Sequence, residues 1–377
     1  MLKVNAHIHT PFSFSSFANL EQAFEMAAQE NIIALGINDF YVTDGYDEFS
    51  ALARRYNIHP LFNLEAIALS KEMQEKGVRV NDPANPGRIY ICGKGLDYPT
   101  TLKGQYREQL ESVQNESQRQ IVEMIHKLNL WLRESGIDFV LSYDEIRRRF
   151  ARRLVRERHI AQALRVEIFE RYASEDQRKE TLQKIYDSVP ISVDINDTAA
   201  LDNEIRNNLL KAGKKAFVAE DEKAFLSIEQ FCEIIISAGG IPCYPVLLDD
   251  PKGAVTEFEA DPEQLYKSLN NWNISCIELI PQRNKLEIME PFVRYFHDKD
   301  FVITFGTEHN APGLTPITPH CSGATPLTDF LMQVNYEGTC VIAAHQYLRS
   351  KGETGYEKGA LKSNLAGLGD RVINRLC

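Results

Sequence analysis

Short apolar runs rich in β-branched residues alternate with stretches of helical periodicity along most of the chain. This alternation is typical of repeated βα units, which place parallel strands in one sheet, open or closed into a barrel. A helix is expected over residues 19–30, with Asn19 capping its first turn. Strands are predicted at residues 4–9, 32–38, 59–69, 88–92, 241–247, 276–279 and 301–305.

The middle of the chain has a helical pattern instead. It begins with an amphipathic helix predicted over residues 106–135, and further helices follow. We therefore expect a barrel built from residues 1–102 and 239–377, with residues 103–238 as an inserted helical subdomain. Residues 309–326 are rich in proline and glycine and predict a long loop after the last strand. Loops at the carboxyl ends of barrel strands usually carry the chemistry.

Seven arginines lie within residues 147–158 of the inserted segment. Ile146, Phe150 and Leu154 recur at i, i+4 and i+8, which predicts one amphipathic helix with a single apolar stripe. The arginines cover its other faces. They either form a solvated surface paired with nearby glutamates, which is the commoner arrangement, or face a site mouth and bind phosphate or nucleic acid.

Composition is that of an ordinary globular protein: of 377 residues, 44% are hydrophobic and 25% charged, which excludes a disordered or low-complexity chain. No run approaches the roughly 18 apolar residues of a membrane span, and residues 1–5 lack the apolar stretch of a signal peptide. A cytoplasmic location is expected. The seven cysteines include none at CxxC spacing and predict reduced, mostly buried thiols.

The chain is acidic, with 42 Lys and Arg against 53 Asp and Glu and a formal net charge of −11. This balance argues against general nucleic-acid binding, beyond short oligonucleotides at most, and does not conflict with a small phosphorylated substrate. The sequence indicates no membrane partner.

His7 and His9 end the first predicted strand. Residues i and i+2 of a strand point to the same face, so both imidazoles could bind one metal ion through neutral nitrogens. Histidines in this spacing are also found in polar loops and in packing. The surrounding sequence, Asn5-Ala-His-Ile-His-Thr-Pro-Phe-Ser13, therefore matters.

That stretch resembles the opening motif of the PHP (polymerase and histidinol phosphatase) family of metal-dependent phosphoesterases. Further segments resemble later motifs of the same family in the same order, including a helix of the insertion found in the branch that acts on nucleotides and short RNA. These segments are Ala34-Leu-Gly-Ile-Asn-Asp-Phe-Tyr41, Asn63-Leu-Glu-Ala-Ile67, Arg158-His-Ile-Ala-Gln-Ala-Leu164, Gly239-Gly-Ile-Pro-Cys-Tyr-Pro245 and Gly306-Thr-Glu-His-Asn310. The resemblance implies a distorted, TIM-like (β/α)7 barrel with an inserted helical subdomain.

The resemblance also implies a ligand set. Family members hold up to three metals, and the positions of the first site are His7, His9, Glu65 and Glu308. Other ligand positions carry residues that do not match: Phe14, Phe40, Tyr90, Tyr244 and Asn310. One divalent ion is therefore expected, either zinc, manganese or iron. An alternative alignment makes His309 a ligand and places Thr307 where the family has an aspartate.

Several further residues are candidates for the site, each with a plain alternative. The phenols of Tyr90 and Tyr244 could donate to substrate or act as weak acids, or they fill space. His309 could be a general acid or base, a ligand, or a loop histidine bonded to backbone. Asp39 could orient a ligand histidine, or cap the turn at residues 42–45. Lys94, Arg158 and His159 could bind substrate. Equally, Lys94 would be a solvated loop lysine, and His159 a packing residue at the domain interface. His59 is expected at the surface or in a loop.

Together these observations predict a metal-dependent hydrolase, a phosphoesterase acting on a small phosphorylated or nucleotide substrate through a metal-activated water. Two alternatives remain open. One is a mononuclear metalloenzyme of the amidohydrolase or isomerase type, and the other is a PHP-like binding protein without catalysis.

Overall fold

The computed structural model describes residues 2–187, 189–249 and 253–375. All seven predicted strands are present within two residues of their expected bounds. They are β1 (Lys3–Ile8), β2 (Ile32–Phe40), β3 (His59–Leu69), β4 (Arg88–Lys94), β5 (Ile241–Val246), β6 (Cys276–Leu279) and β7 (Val302–Phe305). Their short apolar runs are buried almost throughout, as a sheet covered on both sides requires.

The strands form one sheet in sequence order, from β1 to β7. β1, β2 and β3 run parallel, as do β5, β6 and β7, but β4 is antiparallel to both its neighbours. The prediction of an all-parallel sheet is therefore wrong at β4. The segment between β3 and β4 contains only the short helix α3 (Lys71–Glu75) and returns the chain at the same end of the sheet, so the next strand runs back.

The sheet nearly closes on itself between β1 and β7. Ile8 forms a parallel bridge with Glu308, and the N–H of His9 donates to the Glu308 carbonyl over 2.6 Å. The His7 carbonyl accepts from the N–H groups of Thr307 and Glu308, each over 3.0 Å. We call this set of bonds the seam. The predicted distorted TIM-like barrel is confirmed, with one strand reversed.

Helices pack around the sheet. Asn19 caps the first one as predicted, accepting from Gln22 N–H over 2.9 Å. Besides α3, the α-helices in the described residues are α1 (Leu20–Gln29), α2 (Tyr46–Tyr56), α4 (Gln105–Glu134), α5 (Tyr143–Phe150), α6 (Glu157–Arg171), α7 (Glu175–Ile185), α8 (Thr198–Leu209), α9 (Ile228–Ser237), α10 (Pro262–Asn271), α11 (Leu286–Asp298), α12 (Asp329–Ser350) and α13 (Lys362–Asn374). Along α12, Asn335 bonds to β1 and β7, and Gln346 bonds to β3, so this helix ties distant strands together.

The helices between β4 and β5 build a hydrophobic core of their own. It extends from Ile121 on α4 to Val218 and includes the apolar faces of α6, α7 and α8. By contrast, α9 packs with the barrel, where its Phe231 and Ile235 join the core that contains Ile91. The division into a barrel of residues 1–102 and 239–377 and an insertion of residues 103–238 stays a prediction.

The arginine-rich run is not one helix, so that prediction is wrong. α5 ends at Phe150, α6 begins at Glu157, and residues 151–156 are not helical. The break has a tertiary cause: Leu154 packs into the barrel core, while the adjacent Val155 packs into the core of the inserted helices. Two neighbouring residues that serve different cores cannot both follow one helical stripe.

The cysteines of the described residues are free and buried, as predicted; Cys377 lies outside the described part. None of the helices described above is both long and apolar enough to span a bilayer.

Candidate metal centre

Three buried side chains converge where β1 ends beside the middle of β3. The ring nitrogens Nε2 of His7 and His9 lie 3.2 Å apart, and Nε2 of His9 lies 3.1 Å from Oε2 of Glu65. β1 has a register irregularity between Asn5 and Ile8, the stretch that contains His7, and local distortions of this kind can re-aim a side chain beside a functional site. The predicted convergence of these three residues is therefore present in the structure.

The distances between these atoms suit a metal ion. With bonds of 2.0–2.1 Å, a tetrahedral zinc ion separates two ligand atoms by about 3.3 Å, close to the 3.2 and 3.1 Å found here. Glu65 Oε2 is buried and accepts no hydrogen bond from the described residues, so its lone pairs are free to bind a cation. One ligand atom from each of His7, His9 and Glu65 lies within 4.8 Å of the other two. The donor set fits a divalent ion.

Burial sets the protonation of these ligands. It lowers the pKa of His9, more strongly than the carboxylates of Asp39 and Glu308 raise it, so the ring is neutral and its nitrogen can bind metal. Burial also raises the pKa of Glu65 to about 8, helped by the carboxylates of Glu308 and Glu278 and opposed by His7. Without a cation this carboxyl therefore keeps its proton near neutral pH, and a bound cation would favour its carboxylate form.

Asp39 reaches His9 through a serine that the sequence did not single out. Its Oδ1 accepts from the Ser13 hydroxyl over 2.6 Å and from the Thr10 N–H over 2.7 Å. The Ser13 hydroxyl has one proton and gives it to Asp39, so at 3.3 Å from His9 Nδ1 it can only accept. Nδ1 then carries the ring proton, which leaves Nε2 free to face Glu65. This arrangement supports an orienting role for Asp39 rather than a turn cap.

His7 is held by a carboxylate that sequence reasoning missed, Glu278 on β6. Glu278 Oε1 lies 3.1 Å from His7 Nδ1, and its Oε2 accepts from Lys94 Nζ over 2.5 Å. Although burial raises the pKa of Glu278, Lys94 and His7 together bring it far below its usual range. The available signal was a lone charge inside the apolar run of residues 276–279.

Lys94 is not the solvated loop lysine expected from its glycine neighbours. It is the last residue of β4, its side chain is completely buried, and Nζ also lies 3.3 Å from Asn38 Oδ1. Its ammonium places a fixed positive charge beside Glu278, the carboxylate that contacts His7. His7, Cys92 and Glu278 form a second group of possible ligands, in which this ammonium is bonded to one carboxylate oxygen of Glu278, Oε2, while Oε1 faces His7.

Glu308 takes part in the site mainly through its backbone. The backbone forms the seam with β1, and both Glu308 and His309 adopt left-handed φ values of 57° and 55°. Its carboxylate pairs with the guanidinium of Arg283, which sequence reasoning also missed. Burial raises the pKa of Glu308, but Arg283, His7 and His9 bring it below its ordinary value. Glu308 is not part of the compact ligand group of His7, His9 and Glu65.

His309 is a loop histidine bonded to backbone. Its Nε2 lies 3.0 Å from the Thr315 carbonyl and its Nδ1 2.8 Å from the Thr307 hydroxyl, so both nitrogens are engaged. The ring stacks on Phe17 with 4.6 Å between centroids. The structure therefore favours this alternative over a free acid or base, and over a ligand.

The two tyrosines lie in different places. Tyr90 stands at the rim of the centre, half-buried, with its ring 6.1 Å from that of Phe40. Burial, together with Asp82 and Glu65, raises the pKa of its phenol. Tyr244 is fully buried and donates to Glu259 over 2.7 Å. The structure does not bring Tyr244 to the centre.

Residues of the insertion cover the rim on the other side. Arg158 lies over the ring of Phe14 at 5.4 Å and donates to Asn203 over 3.0 Å. His159 is buried, with its ring 5.1 Å from that of Phe14 and its Nδ1 accepting from the Arg156 N–H. Burial and Arg156 lower the pKa of His159 to about 3, so it is a neutral packing residue that shapes this wall.

The fold and this cluster define a barrel protein with a buried histidine–carboxylate centre at the ends of its strands. The model of the PHP domain family matches residues 5–205, and the chain belongs to this family. Comparison with curated proteins gave no match.

Two solved structures share the fold. A protein from Bifidobacterium adolescentis, described as a candidate metal-dependent phosphoesterase, superposes with a TM-score of 0.54 and 16% identity, covering 87% of this chain and 93% of its own. An amidohydrolase from Chromobacterium violaceum, solved with bound sulfate and no metal, gives a TM-score of 0.52 and 16% identity, covering 88% and 96%. At this identity the likeness concerns the fold.

Proposed function

We propose that this protein is a metal-dependent hydrolase whose centre holds one divalent ion between His7, His9 and Glu65. The observation that carries the proposal is the buried, compact set of three ligand atoms, with a lone carboxylate oxygen among them. Membership of the PHP domain family and the phosphoesterase described among its structural neighbours support the same reaction class.

A divalent ion bound here would lower the pKa of a water molecule and polarise an oxygen of the substrate. The protein's own residues prepare the position. Ser13 and Asp39 keep the ring proton of His9 on Nδ1, and Glu278 holds the opposite side of His7. Glu308, paired with Arg283 beside both histidines, is close enough to influence them and is proposed to complete the site. Zinc, manganese and iron all accept such a nitrogen and oxygen set.

Two features support one ion rather than several. The second group of possible ligands has its carboxylate bonded to the ammonium of Lys94, and a further cation there would be repelled. The rings of Phe14 and Phe40, at positions where the resemblance implies ligands, offer no donor atom.

We propose a small phosphate ester or nucleotide as the substrate class. Half-buried arginines at the rim, Arg156 and Arg158, give this acidic chain a local positive region beside the centre. The bound sulfate in the Chromobacterium violaceum structure is a tetrahedral oxyanion of similar shape and charge. Tyr90 at the rim is proposed to donate to the substrate.

The test is metal content followed by turnover. Protein purified without chelator should contain one equivalent of zinc, manganese or iron by elemental analysis, and His7→Ala should contain none and be inactive on phosphomonoesters. His126→Ala, which changes an exposed histidine on α4, is the matched control and should keep both. Full activity in a metal-free His7→Ala protein would overturn the proposal, and so would two or three ions per wild-type chain for the single-ion centre.

Amide hydrolysis is the second candidate, because one structural neighbour is described as an amidohydrolase and a single ion suffices for that reaction. A screen of the metal-loaded protein on phosphomonoesters, nucleotides, amides and uronates separates the candidates. Wild-type protein that neither contains nor takes up zinc or manganese would instead indicate a binding protein.

A further inference from the structure

A cavity lies outside the barrel, behind the strand that carries Glu65. Its volume is about 300 Å³, and Leu64, the residue before Glu65, forms part of its lining. Since neighbouring residues of a strand point to opposite faces, Leu64 faces this cavity while Glu65 faces the metal centre. The residues that line the cavity are different from those of the centre, so the two are separate sites.

The connection between β3 and β4 explains why the space is there. In a regular barrel a helix follows each strand and covers the outer face of the sheet. Here only the five-residue α3 joins the two strands, so helices from other parts of the chain cover this face: α2 packs on β3, and α9 packs on β3 and β4. The cavity remains between Val42, which follows β2, Leu110 on α4 and Ile234 on α9.

Hydrogen bonds fix the walls of the cavity. Gln114 on α4 donates through Nε2 to the Tyr41 carbonyl over 2.7 Å. The Thr100 hydroxyl donates to the Asp97 carbonyl over 2.5 Å, and the Asp97 N–H donates to the Ala238 carbonyl over 2.9 Å. The cavity is therefore preorganised, which lowers the cost of binding a ligand there.

The floor of the cavity is apolar, whereas its mouth is charged. One carboxylate, that of Asp44, and one guanidinium, that of Arg107, lie at the exposed edge. An apolar floor holds water poorly and gains free energy when an apolar group covers it. The buried hydrophobic residues of the floor are Val42, Leu64, Leu96, Leu110, Ile234 and Ala238.

The two charged groups at the mouth can exchange their present partners for a ligand. Asp44 lies 3.3 Å from Arg153, and Arg107 lies 2.7 Å from Glu111, but all four side chains are between 38% and 68% exposed. Ion pairs this exposed are weak. A ligand that carries one positive and one negative charge matches this mouth in sign on both sides.

We propose that this cavity binds one free amino acid with an apolar side chain. The carboxylate of the ligand pairs with Arg107, its ammonium pairs with Asp44, and its side chain covers the apolar floor. A volume of about 300 Å³ is at the lower limit of small-molecule sites, which suits a ligand of the size of leucine or phenylalanine and is small for a nucleotide. The proposal does not rest on the metal chemistry of the centre.

The experiment measures binding of L-phenylalanine to the full-length protein by titration calorimetry at neutral pH. Arg107→Gln removes the partner of the carboxylate and should weaken binding by about 10-fold or more. Leu102→Trp places a larger side chain in the cavity wall and should abolish binding. Arg119→Gln, at an exposed position of the same helix as Arg107, is the matched control and should stay within about twofold of wild type. No binding to wild type, or equal affinity in wild type, Arg107→Gln and Leu102→Trp, would overturn the site.

Two analogues of phenylalanine test the assignment of the charges. Phenethylamine lacks the carboxylate, so Arg107→Gln should not weaken its binding. Likewise 3-phenylpropionate lacks the ammonium, so Asp44→Asn should not weaken its binding, whereas both variants should weaken binding of L-phenylalanine. If Arg107→Gln weakens phenethylamine as much as L-phenylalanine, the guanidinium does not pair with the carboxylate and the proposal fails.

Metal-free His7→Ala separates this cavity from the metal centre, because an amino acid can also chelate a metal ion. Its affinity for L-phenylalanine should equal that of wild type, and complete loss there would place the amino acid on the metal and overturn the cavity site. Circular dichroism of all variants should match wild type, which excludes a loss of fold as the cause. If His7→Ala binds L-phenylalanine but wild type hydrolyses no substrate of the screen, the cavity site stands and the proposed function fails.

Discussion

The ammonium of Lys94 and the carboxylate of Glu278 form an ion pair inside the barrel, with 2.5 Å between Nζ and Oε2 and no solvent exposure of either side chain. Burial acts against both charges, yet Glu278 keeps the pKa of Lys94 above its ordinary value. Each buried charge is stabilised by the other, and the second oxygen of Glu278 lies beside Nδ1 of His7. The metal centre thus depends on a charge that makes no contact with the proposed ligand atoms.

Replacing Lys94 should therefore destabilise the fold. Lys94→Met keeps the volume but leaves Glu278 buried without its partner, which costs about 3–5 kcal/mol of the free energy of unfolding. Urea denaturation measures this loss. Lys76→Met, which breaks the exposed pair of Lys76 and Glu72, is the control and should cost less than about 0.5 kcal/mol. Equal losses in the two variants would contradict the burial described for the first pair.

The Ser13 hydroxyl should matter for metal affinity. In Ser13→Ala, His9 Nδ1 loses its acceptor and Asp39 loses a donor, so the ring can adopt the wrong tautomer. We expect the affinity for zinc to fall by about 10–100-fold in competition with a chromogenic chelator. Ser15→Ala in the same loop should leave it unchanged, because Ser15 bonds to the Phe17 N–H instead. A normal affinity in Ser13→Ala would remove Asp39 from the orienting role.

The seam leaves no room for a side chain at Gly306. A Cβ there would lie 2.2 Å from the Cβ of His7, so Gly306→Ala must push β1 and β7 apart. Both the melting temperature and the metal content should fall. Gly367→Ala on α13, where the nearest atom lies 3.9 Å away, is the matched change and should leave stability equal or higher by about 0.4–1 kcal/mol. A stable, metal-loaded Gly306→Ala protein would show that the seam is not needed.

His59 should make the fold sensitive to acid. It is buried at the start of β3, neither ring nitrogen has a hydrogen-bond partner among the described residues, and burial lowers its pKa to about 4. Since the unfolded chain binds this proton near pH 6.5, stability is lost as the pH falls from 6.5 to 4, by up to about 3 kcal/mol.

The test compares urea unfolding of wild type and His59→Leu across that range. The variant cannot take up this proton, so its stability relative to wild type should rise as the pH falls. His126→Leu, at an exposed position of α4, is the control for the loss of a histidine. Parallel pH profiles for wild type and His59→Leu would refute the buried neutral state. The expectation that His59 lies at the surface or in a loop was wrong, because an apolar strand carried it into the core.

The fold could be predicted from the chain because its strands are short apolar runs between polar turns, a local signal. The pair of His7 and His9 also follows from local spacing, and the family resemblance added Glu65. The direction of β4 could not be predicted in this way, since it depends on how the chain returns after β3 and not on the composition of the strand.

The supporting residues of the centre were beyond local reasoning. Lys94 and Glu278 lie 184 positions apart, and neither has a neighbour that reveals the other. The glycines around Lys94 indicated an exposed loop, whereas they allow a helix to pack closely on β4: a Cβ at Gly93 would lie 2.9 Å from Ile235 of α9. Contacts of this kind arise only when the sheet closes.

The break in the arginine run has a similar origin. Ile146, Phe150 and Leu154 fit one helical stripe, but they do not all pack into the same core, since Leu154 belongs to the barrel core. The spacing alone contained no sign of two cores. Because the helix is interrupted here, Arg156, just before α6, and Arg158, in its first turn, lie against the aromatic rings of the rim.

The seam has a consequence for when the centre can form. Asn5 donates to the Thr307 hydroxyl over 2.6 Å, although the two residues are 302 positions apart. During synthesis the two histidines emerge first, and the strand that holds them in place comes only after most of the chain has been made. Metal uptake at His7 and His9 would thus report that β1 and β7 have come together, and a bound ion would stabilise the closed barrel.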